Sequence, residues 1–388
     1  MRPSTVRRSL VAAVAVAVAL STAALADPGN GNGHGNGHGK AKGRTERRDE
    51  PRRAPVVPCT GRPNDVRRLD LTVAGQPAWG LYAFPATAPK GVVVFGHGYG
   101  HTAESWRKHI ADTAARNGVV AVAMDYRGQV DSPGTPLPTS RGWQVREGAE
   151  DSIAAARYFN RLCPSAQTFV MYGVSMGGNT AGLAVAAQAK RANGRPLFDY
   201  WFDIEGATTV VETYHEARAL AASGNTFAQN AVADIEREVG SKFENNPSGY
   251  VDLSVVSHGE DIKASGIKGV VMVQGVDDGL VGYNQSPELY TRLRSLGVPV
   301  DFWTAVTRGE DSESGTTLDG YVTSQIPGFT SPGAGHASEA SDTHIVGNAG
   351  FERLAALFKG TVPACRLGIL DGTLGFTETT PLTSPATC

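Results

Sequence analysis

The pentapeptide Gly173–Gly177 reads GVSMG and places one serine between two glycines. Residues 169–172 (FVMY) are apolar β-formers that predict a short buried strand, and residues 181–187 (AGLAVAA) predict a helix of small residues. In a strand–turn–helix context, a G-x-S-x-G pattern presents its serine hydroxyl as a nucleophile. At the N-terminus of a helix, backbone N–H groups and the helix dipole favour the negative charge that develops on an attacked carbonyl.

The pentapeptide alone is a weak signal because the chain has 47 Gly in 388 residues. At this glycine content, about 0.3 such pentapeptides arise by chance. A serine that attacks a carbonyl also needs a histidine to take its proton and an acid to orient that histidine. The interpretation therefore depends on where such partners lie in the chain.

Two neighbouring acids, Asp277 and Asp278, follow the apolar run 267–275 (IKGVVMVQG), which predicts a buried strand. Asp203 and Glu205 lie at the end of the preceding predicted strand. One of them could orient the histidine only if the acid had migrated from the loop after residues 267–275 to this earlier strand. The sequence by itself leaves Asp277 and Asp278 both open as the acid.

Two histidines follow the last predicted strand. His336 comes after a polar loop of unusual length, residues 307–335, and His344 lies a few residues before the last predicted helix. Four further histidines lie at or in a predicted helix or in the insert described below, and we interpret them as solvated or hydrogen-bonded side chains: His101, His109, His215 and His258. The base is therefore His336 or His344.

Strands and helices alternate along the chain. The predicted strands are Val66–Val73, Ala78–Phe84, Gly91–Gly98, Val119–Asp125, Phe169–Tyr172, Tyr200–Gly206, Ile267–Gly275 and, as the last strand, Val298–Val306. The predicted helices include Ala103–Asn117, Val145–Arg161, Val211–Ala222, Thr226–Val239, Glu288–Leu296 with Ser286 as N-cap and Pro287 in the first turn, and Phe351–Phe358. The first two strands predict an antiparallel pair. The alternation indicates an α/β fold with a mainly parallel sheet covered on both faces.

The order of the motifs resembles the α/β-hydrolase superfamily between about Asp65 and Gly360. A strand leads to the loop GHGYG (96–100), a second strand to DYRG (125–128), and a third to GVSMG; a later strand leads to GVDD (275–278), and a last one precedes a histidine. No single motif is highly specific, but five in this order are. The resemblance implies the α/β-hydrolase fold, with a mostly parallel central sheet, helices on both faces and a cap insertion.

The resemblance also implies roles for particular residues. Ser175 is the expected nucleophile, Asp278 the expected acid because it comes three residues after Gly275, and His336 the expected base because small residues precede it. The expected oxyanion hole consists of the backbone N–H groups of Met176 and Tyr99, and losing one such donor typically costs about 10²–10³ in rate. His97 is expected to brace its loop.

Together these residues predict a serine hydrolase that cleaves carboxylic esters through an acyl-enzyme, with no metal and no organic cofactor. The alternative is a serine peptidase of the prolyl-oligopeptidase or proline-iminopeptidase kind. That alternative predicts cap acids that bind a free amino terminus, and the candidates are Glu212, Glu216, Glu236 and Glu238. A third hypothesis is a binding protein that kept the fold and lost turnover, although every residue type of the triad is present.

The N-terminus predicts export. Residues 1–26 combine Arg2, Arg7 and Arg8 with an apolar run and the small-residue ending ALA, which indicates a signal peptide, and the run is too short to span a bilayer. Its removal takes the formal net charge from -2 to -5, because three Arg and no acid are lost. We therefore expect a secreted protein with no nucleic-acid partner and no stable membrane anchor. Its expected substrate is a small or polymeric ester, and we expect a monomer.

The remaining chain divides into three predicted parts. Residues 27–58 are rich in Gly, Asn, His and then Arg and predict a disordered linker, in which His34 and His38 are more consistent with a solvated tail than with a metal site. Residues 59–388 predict the hydrolase domain. Within it, residues 207–263 occupy the position of the superfamily's variable cap, and residues 361–388 form a C-terminal extension.

Four cysteines in an exported chain suggest two disulfides, and four cysteines allow three pairings. Cys365 and Cys388 bracket a tail rich in Gly, Thr and Pro, while Cys59 and Cys163 each precede a predicted strand. We favour Cys59–Cys163 and Cys365–Cys388.

Overall fold

The computed structural model describes residues 59–128, 142–276, 278–306, 336–337, 344–371 and 378–381. The predicted signal peptide and linker, the alternative acid Asp277 and the predicted disulfide partner Cys388 lie outside the described residues.

Ten strands in the described part of the chain form one sheet with the order β1-β2-β4-β3-β5-β6-β7-β8-β9-β10. Their bounds are β1 Arg67–Val73, β2 Gln76–Ala83, β3 Gly91–Gly96, β4 Val120–Asp125, β5 Thr168–Val174, β6 Tyr200–Ile204, β7 Gly269–Gly275, β8 Val300–Val306, β9 Arg366–Asp371 and β10 Glu378–Pro381. The pairings from β4 through β9 are parallel. The pairs β1–β2, β2–β4 and β9–β10 are antiparallel. The predicted, mainly parallel α/β sheet is confirmed, as is the antiparallel pair at its start.

Nine α-helices accompany these strands in the described residues. They are α1 Arg107–Asn117, α2 Val145–Leu162, α3 Met176–Ala186, α4 Val210–Ala222, α5 Thr226–Val239, α6 Pro247–Leu253, α7 Gly259–Ser265, α8 Gln285–Ser295 and α9 Ile345–Phe358. Gly118 ends α1 with φ 64°, a left-handed conformation that glycine adopts at no steric cost. None of the helices described is long and apolar enough to cross a bilayer.

The sheet is buried on both faces, as the continuous apolar runs predict. Alternate residues of one strand enter opposite cores: Val92 and Val94 of β3 join a cluster with residues of α2, α3 and α8, whereas Val93 and Phe95 join a cluster with residues of α1 and α9. This period of two is the geometry of a strand covered by helices on each side. Two layers of helices therefore fix the carboxyl ends of the parallel strands.

Helices α4 to α7 and two short 3₁₀ segments fill the chain between β6 and β7, where the cap is predicted. A third apolar cluster joins this insert to the turn after β5. It contains Val210 and Tyr214 of α4, Ile235 of α5 and Met176 at the start of α3. The insert is therefore packed onto the end of the sheet that carries Ser175.

Two details of the prediction are wrong. Helix α8 begins at Gln285, with Asn284 rather than Ser286 at its N-cap. The hydroxyl of Ser286 donates instead to Gln274 Oε1 at 3.0 Å, and Pro287 is tolerated inside the first turn because that turn needs no backbone N–H from it. Strand β8 is also not the last, because β9 of the C-terminal segment pairs with it in parallel. The length of the intervening chain concealed this pairing.

The disulfide between Cys59 and Cys163 is present as predicted. It joins the segment before β1 to the end of α2 across a sequence separation of 104 residues. Closing a loop of about this length removes entropy from the unfolded chain worth about 4–5 kcal/mol in the chain-entropy treatment. The crosslink therefore stabilises the edge of the sheet formed by its N-terminal strands.

Candidate active site

Ser175 occupies a sharp turn between β5 and α3. Its backbone has φ 58° and ψ -127°, a positive-φ conformation outside the αL region that costs a non-glycine residue roughly 1–3 kcal/mol and is held here by the neighbouring backbone. The Ser175 N–H donates to the carbonyl of Ile204 at 3.0 Å, and the Ser175 carbonyl accepts from the N–H groups of Gly178 at 2.8 Å and Ala207 at 3.1 Å. The end of β6 thus fixes the turn.

The two glycines of the pentapeptide are required by close backbone packing. A Cβ atom at Gly173 would lie 1.9 Å from the Gly177 carbonyl oxygen, and a Cβ at Gly177 would lie 2.1 Å from the Gly96 carbonyl oxygen. Any side chain at either position would force these backbones apart. The approach of Gly177 to Gly96 also brings the loop that follows β3 beside the turn that carries Ser175.

The structure brings Asp278 and His336 together. Asp278 Oδ2 lies 2.8 Å from His336 Nδ1, and the hydrogen bond assigns the Nδ1 proton to this contact. Asp278 Oδ1 accepts from the N–H groups of Leu280 and Val281, each at 2.8 Å, and Gln274 Nε2 donates to Oδ2 at 3.0 Å. These contacts hold the Asp278 carboxyl in place beside the imidazole. Gln274 was not among the residues predicted to act at the site, although a polar residue at the end of a buried apolar run is a signal that the sequence contains.

The alternative histidine has a different place. His344 is the N-cap of α9, and its Nδ1 accepts from the Val346 N–H at 3.3 Å. A capping side chain satisfies one of the backbone N–H groups that the first turn of a helix leaves unpaired. The geometry therefore joins His336, and not His344, to the acid Asp278.

Of the residues expected to form the oxyanion hole, Met176 directly follows the serine, and Tyr99 lines the same cavity as Ser175. Met176 is the first residue of α3, and its side chain is buried. The hydroxyl of Tyr99 donates to Asp234 Oδ2 on α5 at 2.7 Å. His97 Nδ1 lies 3.0 Å from the Gly98 carbonyl oxygen, and the His97 ring stacks on Tyr126. These contacts fit the bracing role expected of His97.

A cavity of about 630 Å³ opens at Ser175 and Asp278. Its size lies within the range usual for small-molecule sites. Most of its wall is apolar and comes from the insert and from the loop after β7. Its larger aliphatic and aromatic residues are Tyr99, Trp143, Leu220, Phe227, Leu280 and Val281. The sequence did not single out Trp143 or Phe227.

Of the four cap acids proposed to bind an amino terminus, only Glu216 lines this cavity in the described part of the chain. Its side chain stands at the cavity wall, where desolvation by the surrounding protein raises the pKa of its carboxyl, with a further raising effect of Glu212. The Gly282 N–H donates a hydrogen bond to this carboxyl and opposes the rise in its pKa. The other three acids also accept hydrogen bonds from the chain. Glu212 accepts from Asn284, Glu236 from Tyr214 and Glu238 from the Arg146 N–H.

A second carboxyl lies beside His336. Glu205 Oε2 is 3.6 Å from His336 Nδ1, so Glu205, Asp278 and His336 form a buried cluster whose possible metal-binding atoms lie within 4.8 Å of one another. The same atoms already make hydrogen bonds within the chain, which is a sufficient account of their positions. We assign no metal to this cluster.

Asp203 is another buried acid and lies on β6. Its carboxyl packs on the backbones of Gly178 and Gly206, and neither oxygen has a hydrogen-bond partner among the described residues. Burial raises the pKa of Asp203 from the ordinary 3.8 to about 7. Since the folded state holds this proton more tightly than the unfolded state, folding is favoured at low pH and loses that contribution as the pH rises towards 7.

We therefore expect Asp203→Asn to be more stable than the wild-type protein at about pH 8, by at most about 4 kcal/mol, and equally stable near pH 4. Denaturant unfolding across this pH range measures the difference. Asp199→Asn is the control, because Asp199 pairs with Arg191 and Lys268 and its pKa is lowered. That variant should lose stability at pH 8 and approach the wild type as the pH falls. A pH dependence left unchanged by Asp203→Asn would contradict the prediction.

The sheet order, the turn at Ser175 after β5, and the acid and histidine after β7 and β8 are those of the α/β-hydrolase fold, and the chain has this fold. Residues 87–214 match the family model of the serine aminopeptidases, S33. No curated protein matches the chain by sequence.

Solved structures with a similar fold come from several serine hydrolases. A puromycin-hydrolysing peptidase of Mycobacterium tuberculosis has 17% identity and a TM-score of 0.50, and the match covers 80% of this chain and 41% of that one. An acylaminoacyl peptidase of Pyrococcus horikoshii has 18% identity and a TM-score of 0.47, with 74% and 41% covered. An esterase of Pyrococcus furiosus has 16% identity and a TM-score of 0.43, with 62% and 82% covered. The chain spans 36% to 41% of the length of the acylaminoacyl peptidases it matches.

Proposed function

We propose that the chain is a secreted serine hydrolase that cleaves carboxylic esters through an acyl-enzyme. The observation that carries the proposal is the 2.8 Å hydrogen bond between Asp278 and His336, in a fold whose turn after β5 puts Ser175 on the wall of an apolar cavity. A nucleophile, a base and an orienting acid are the three groups that acyl transfer through serine requires.

In the proposed reaction Ser175 attacks the ester carbonyl while His336 takes the hydroxyl proton. Asp278 holds the Nδ1–H of His336, which keeps Nε2 available as the base and stabilises the imidazolium that forms. The N–H groups of Met176 and Tyr99 stabilise the oxyanion. His336 then returns its proton to the leaving alcohol, and a water molecule, activated in the same way, hydrolyses the acyl-enzyme.

The cavity supports an ester with an apolar acyl group. Its aliphatic and aromatic walls offer dispersion contacts and burial to a hydrocarbon chain, and burial of each methylene contributes about 0.8 kcal/mol. A polar or highly charged acyl group would leave its charges without partners over most of this surface. Activity on ester substrates should therefore rise with acyl length until the cavity is filled.

One observation favours a second candidate, a serine aminopeptidase. Glu216 lies on the cavity wall and offers a negative charge to a free amino terminus, and the match to the serine aminopeptidase model supports the same candidate. An ion pair inside the cavity would select substrates with a free amine over acylated ones. The two candidates share the triad and differ in what Glu216 binds.

An assay of nitrophenyl esters of increasing acyl length, beside nitroanilides with free and with acetylated amino groups, separates the candidates. We expect neutral esters to be preferred, and Glu216→Gln to leave their kcat/KM within about threefold. Glu212→Gln is the matched control, since Glu212 lies one turn earlier on α4 and does not line the cavity. If free-amine anilides are preferred, and Glu216→Gln alone raises their KM by about tenfold or more, the aminopeptidase is correct and the ester proposal is not.

We also propose that the mature protein begins near Asp27 and works outside the cell on a small or polymeric ester, as a monomer. The charged, apolar and small-residue segments at the N-terminus support export. The disulfide Cys59–Cys163 supports an oxidising compartment, where such bonds persist.

A further inference from the structure

Glu205 lies at the end of β6 and has no part in the reaction described above. Its side chain is fully buried, and its backbone adopts φ 48°, a left-handed conformation that is costly for a residue with a side chain. A buried carboxyl in a strained backbone persists only where its neighbours hold it. Its contacts therefore indicate what the position is for.

Both oxygen atoms of Glu205 bind backbone N–H groups of segments that carry the acid and the base. Oε1 accepts from Gly275 at 3.0 Å, three residues before Asp278, and Oε2 accepts from Ala337, the residue after His336. One carboxyl thus joins the loop after β7 to the segment that contains His336. A carboxylate suits this place because it has an acceptor at each end, whereas a glutamine side chain has only one.

Glu205 also lies next to the nucleophile along the sheet. The preceding residue, Ile204, accepts the hydrogen bond from the Ser175 N–H at 3.0 Å. The end of β6 is consequently the place where the segments carrying Ser175, Asp278 and His336 are attached to one another. All of these attachments use backbone groups or the buried Glu205 carboxyl.

The same carboxyl faces the imidazole of His336. Two acids approach His336 Nδ1, Asp278 at 2.8 Å and Glu205 at 3.6 Å, and Asp278 and His336 are the titratable groups that face Glu205 in the described residues. Burial and the neighbouring Asp278 raise the pKa of Glu205, while His336 and the two N–H donors oppose that rise. A proton arriving on His336 therefore favours the ionised form of Glu205, and the ionised carboxyl favours the imidazolium.

We propose that Glu205 is a positioning residue of the hydrolytic reaction: it fixes His336 against Asp278 and stabilises the imidazolium that forms when Ser175 loses its proton. This inference rests on the proposed function. It predicts that Glu205 contributes to the chemical step more than to substrate binding, because it contacts the base and does not line the cavity.

The test compares Glu205→Gln with Asp203→Asn. Asp203 is the matched control, a buried acid two residues before Glu205 whose carboxyl packs on the backbones of Gly178 and Gly206. We expect Glu205→Gln to lower kcat by about 10–100-fold with KM within about threefold, and to move the acidic limb of the pH profile of kcat/KM to lower pH by about half a unit or more. Asp203→Asn should leave that limb in place. An unchanged kcat in Glu205→Gln, or a loss of kcat without movement of the limb, would overturn the proposal.

Two further measurements test the role of Glu205 even if Glu205→Gln does not fold or if the wild-type protein cleaves no ester. Glu205→Asp retains the negative charge but shortens its reach, so we expect the acidic limb to stay while kcat falls; a kcat equal to that of the wild type would overturn the proposal even if Glu205→Gln does not fold. Labelling of Ser175 by a fluorophosphonate needs the base but no ester specificity. If the wild-type protein is labelled yet cleaves no ester, the proposed substrate is wrong, and the labelling rate of the Glu205 variants still tests Glu205.

Discussion

Replacement of Ser175 by alanine is expected to lower kcat for the best ester substrate by about 10⁴–10⁶-fold. The serine hydroxyl is the atom that forms the acyl-enzyme, and no other group of the site replaces it in that step. The alanine variant should also fail to react with a fluorophosphonate. Because alanine retains the Cβ atom and the same backbone, we expect the variant to fold and to bind substrate with little change in affinity.

Ser223→Ala is the matched control for this variant. Ser223 is exposed, lines the same cavity, and its hydroxyl donates to the Leu220 carbonyl at 2.7 Å. It should keep both the wild-type labelling and a kcat within about threefold of the wild-type value. Hydrolysis that persists in Ser175→Ala at the wild-type rate would mean that another group attacks the ester, and the assignment of the site would be rejected.

The second large effect should separate the two histidines. We expect His336→Ala to lower kcat by about 10⁴-fold or more, because the proton of Ser175 then has no acceptor. His344→Ala should keep kcat within about threefold and lose about 1 kcal/mol of stability, since His344 caps α9. Steady-state kinetics and thermal unfolding of the same preparations measure both quantities.

Asp278→Asn serves as the internal comparison for His336. Removal of the carboxylate that orients the imidazole is expected to cost about 10³–10⁴ in kcat, because the amide would favour the wrong tautomer. The reverse pattern, with full activity in His336→Ala and none in His344→Ala, would show that the base reaches the acid in a conformation other than the one described.

The elements of this fold could be predicted because their signals are local. Apolar runs such as residues 91–96 and 269–275 are strands buried on both faces, and their bounds agree with the predicted ones to within a few residues. The two errors have one cause. Ser286 was predicted to cap α8 and β8 to end the sheet because each has the local pattern, whereas a hydrogen bond to Gln274 and the pairing with β9 come from distant segments.

Some features of the active site could also be predicted from local sequence signals. The glycines around Ser175 are needed for a turn that the sequence shows, and the order of serine, acid and histidine follows from the order of the strands. From the sequence, Glu205 was considered only as a catalytic acid in an unusual position, after the strand that precedes β7. Its position beside His336 depends on a segment more than a hundred residues further along the chain, so no pattern near Glu205 announces it.

The sequence by itself determined the class of fold, the turn that carries Ser175 and the short list of acids and bases, because backbone propensity and apolar periodicity act between near neighbours. The tertiary structure decided which members of that list meet. Asp278 and His336 are 58 residues apart, and Glu205 and Ala337 are 132 apart. Contacts over such separations form only when the whole sheet is assembled, since the entropy of closing each loop is offset by the packing of all the strands together.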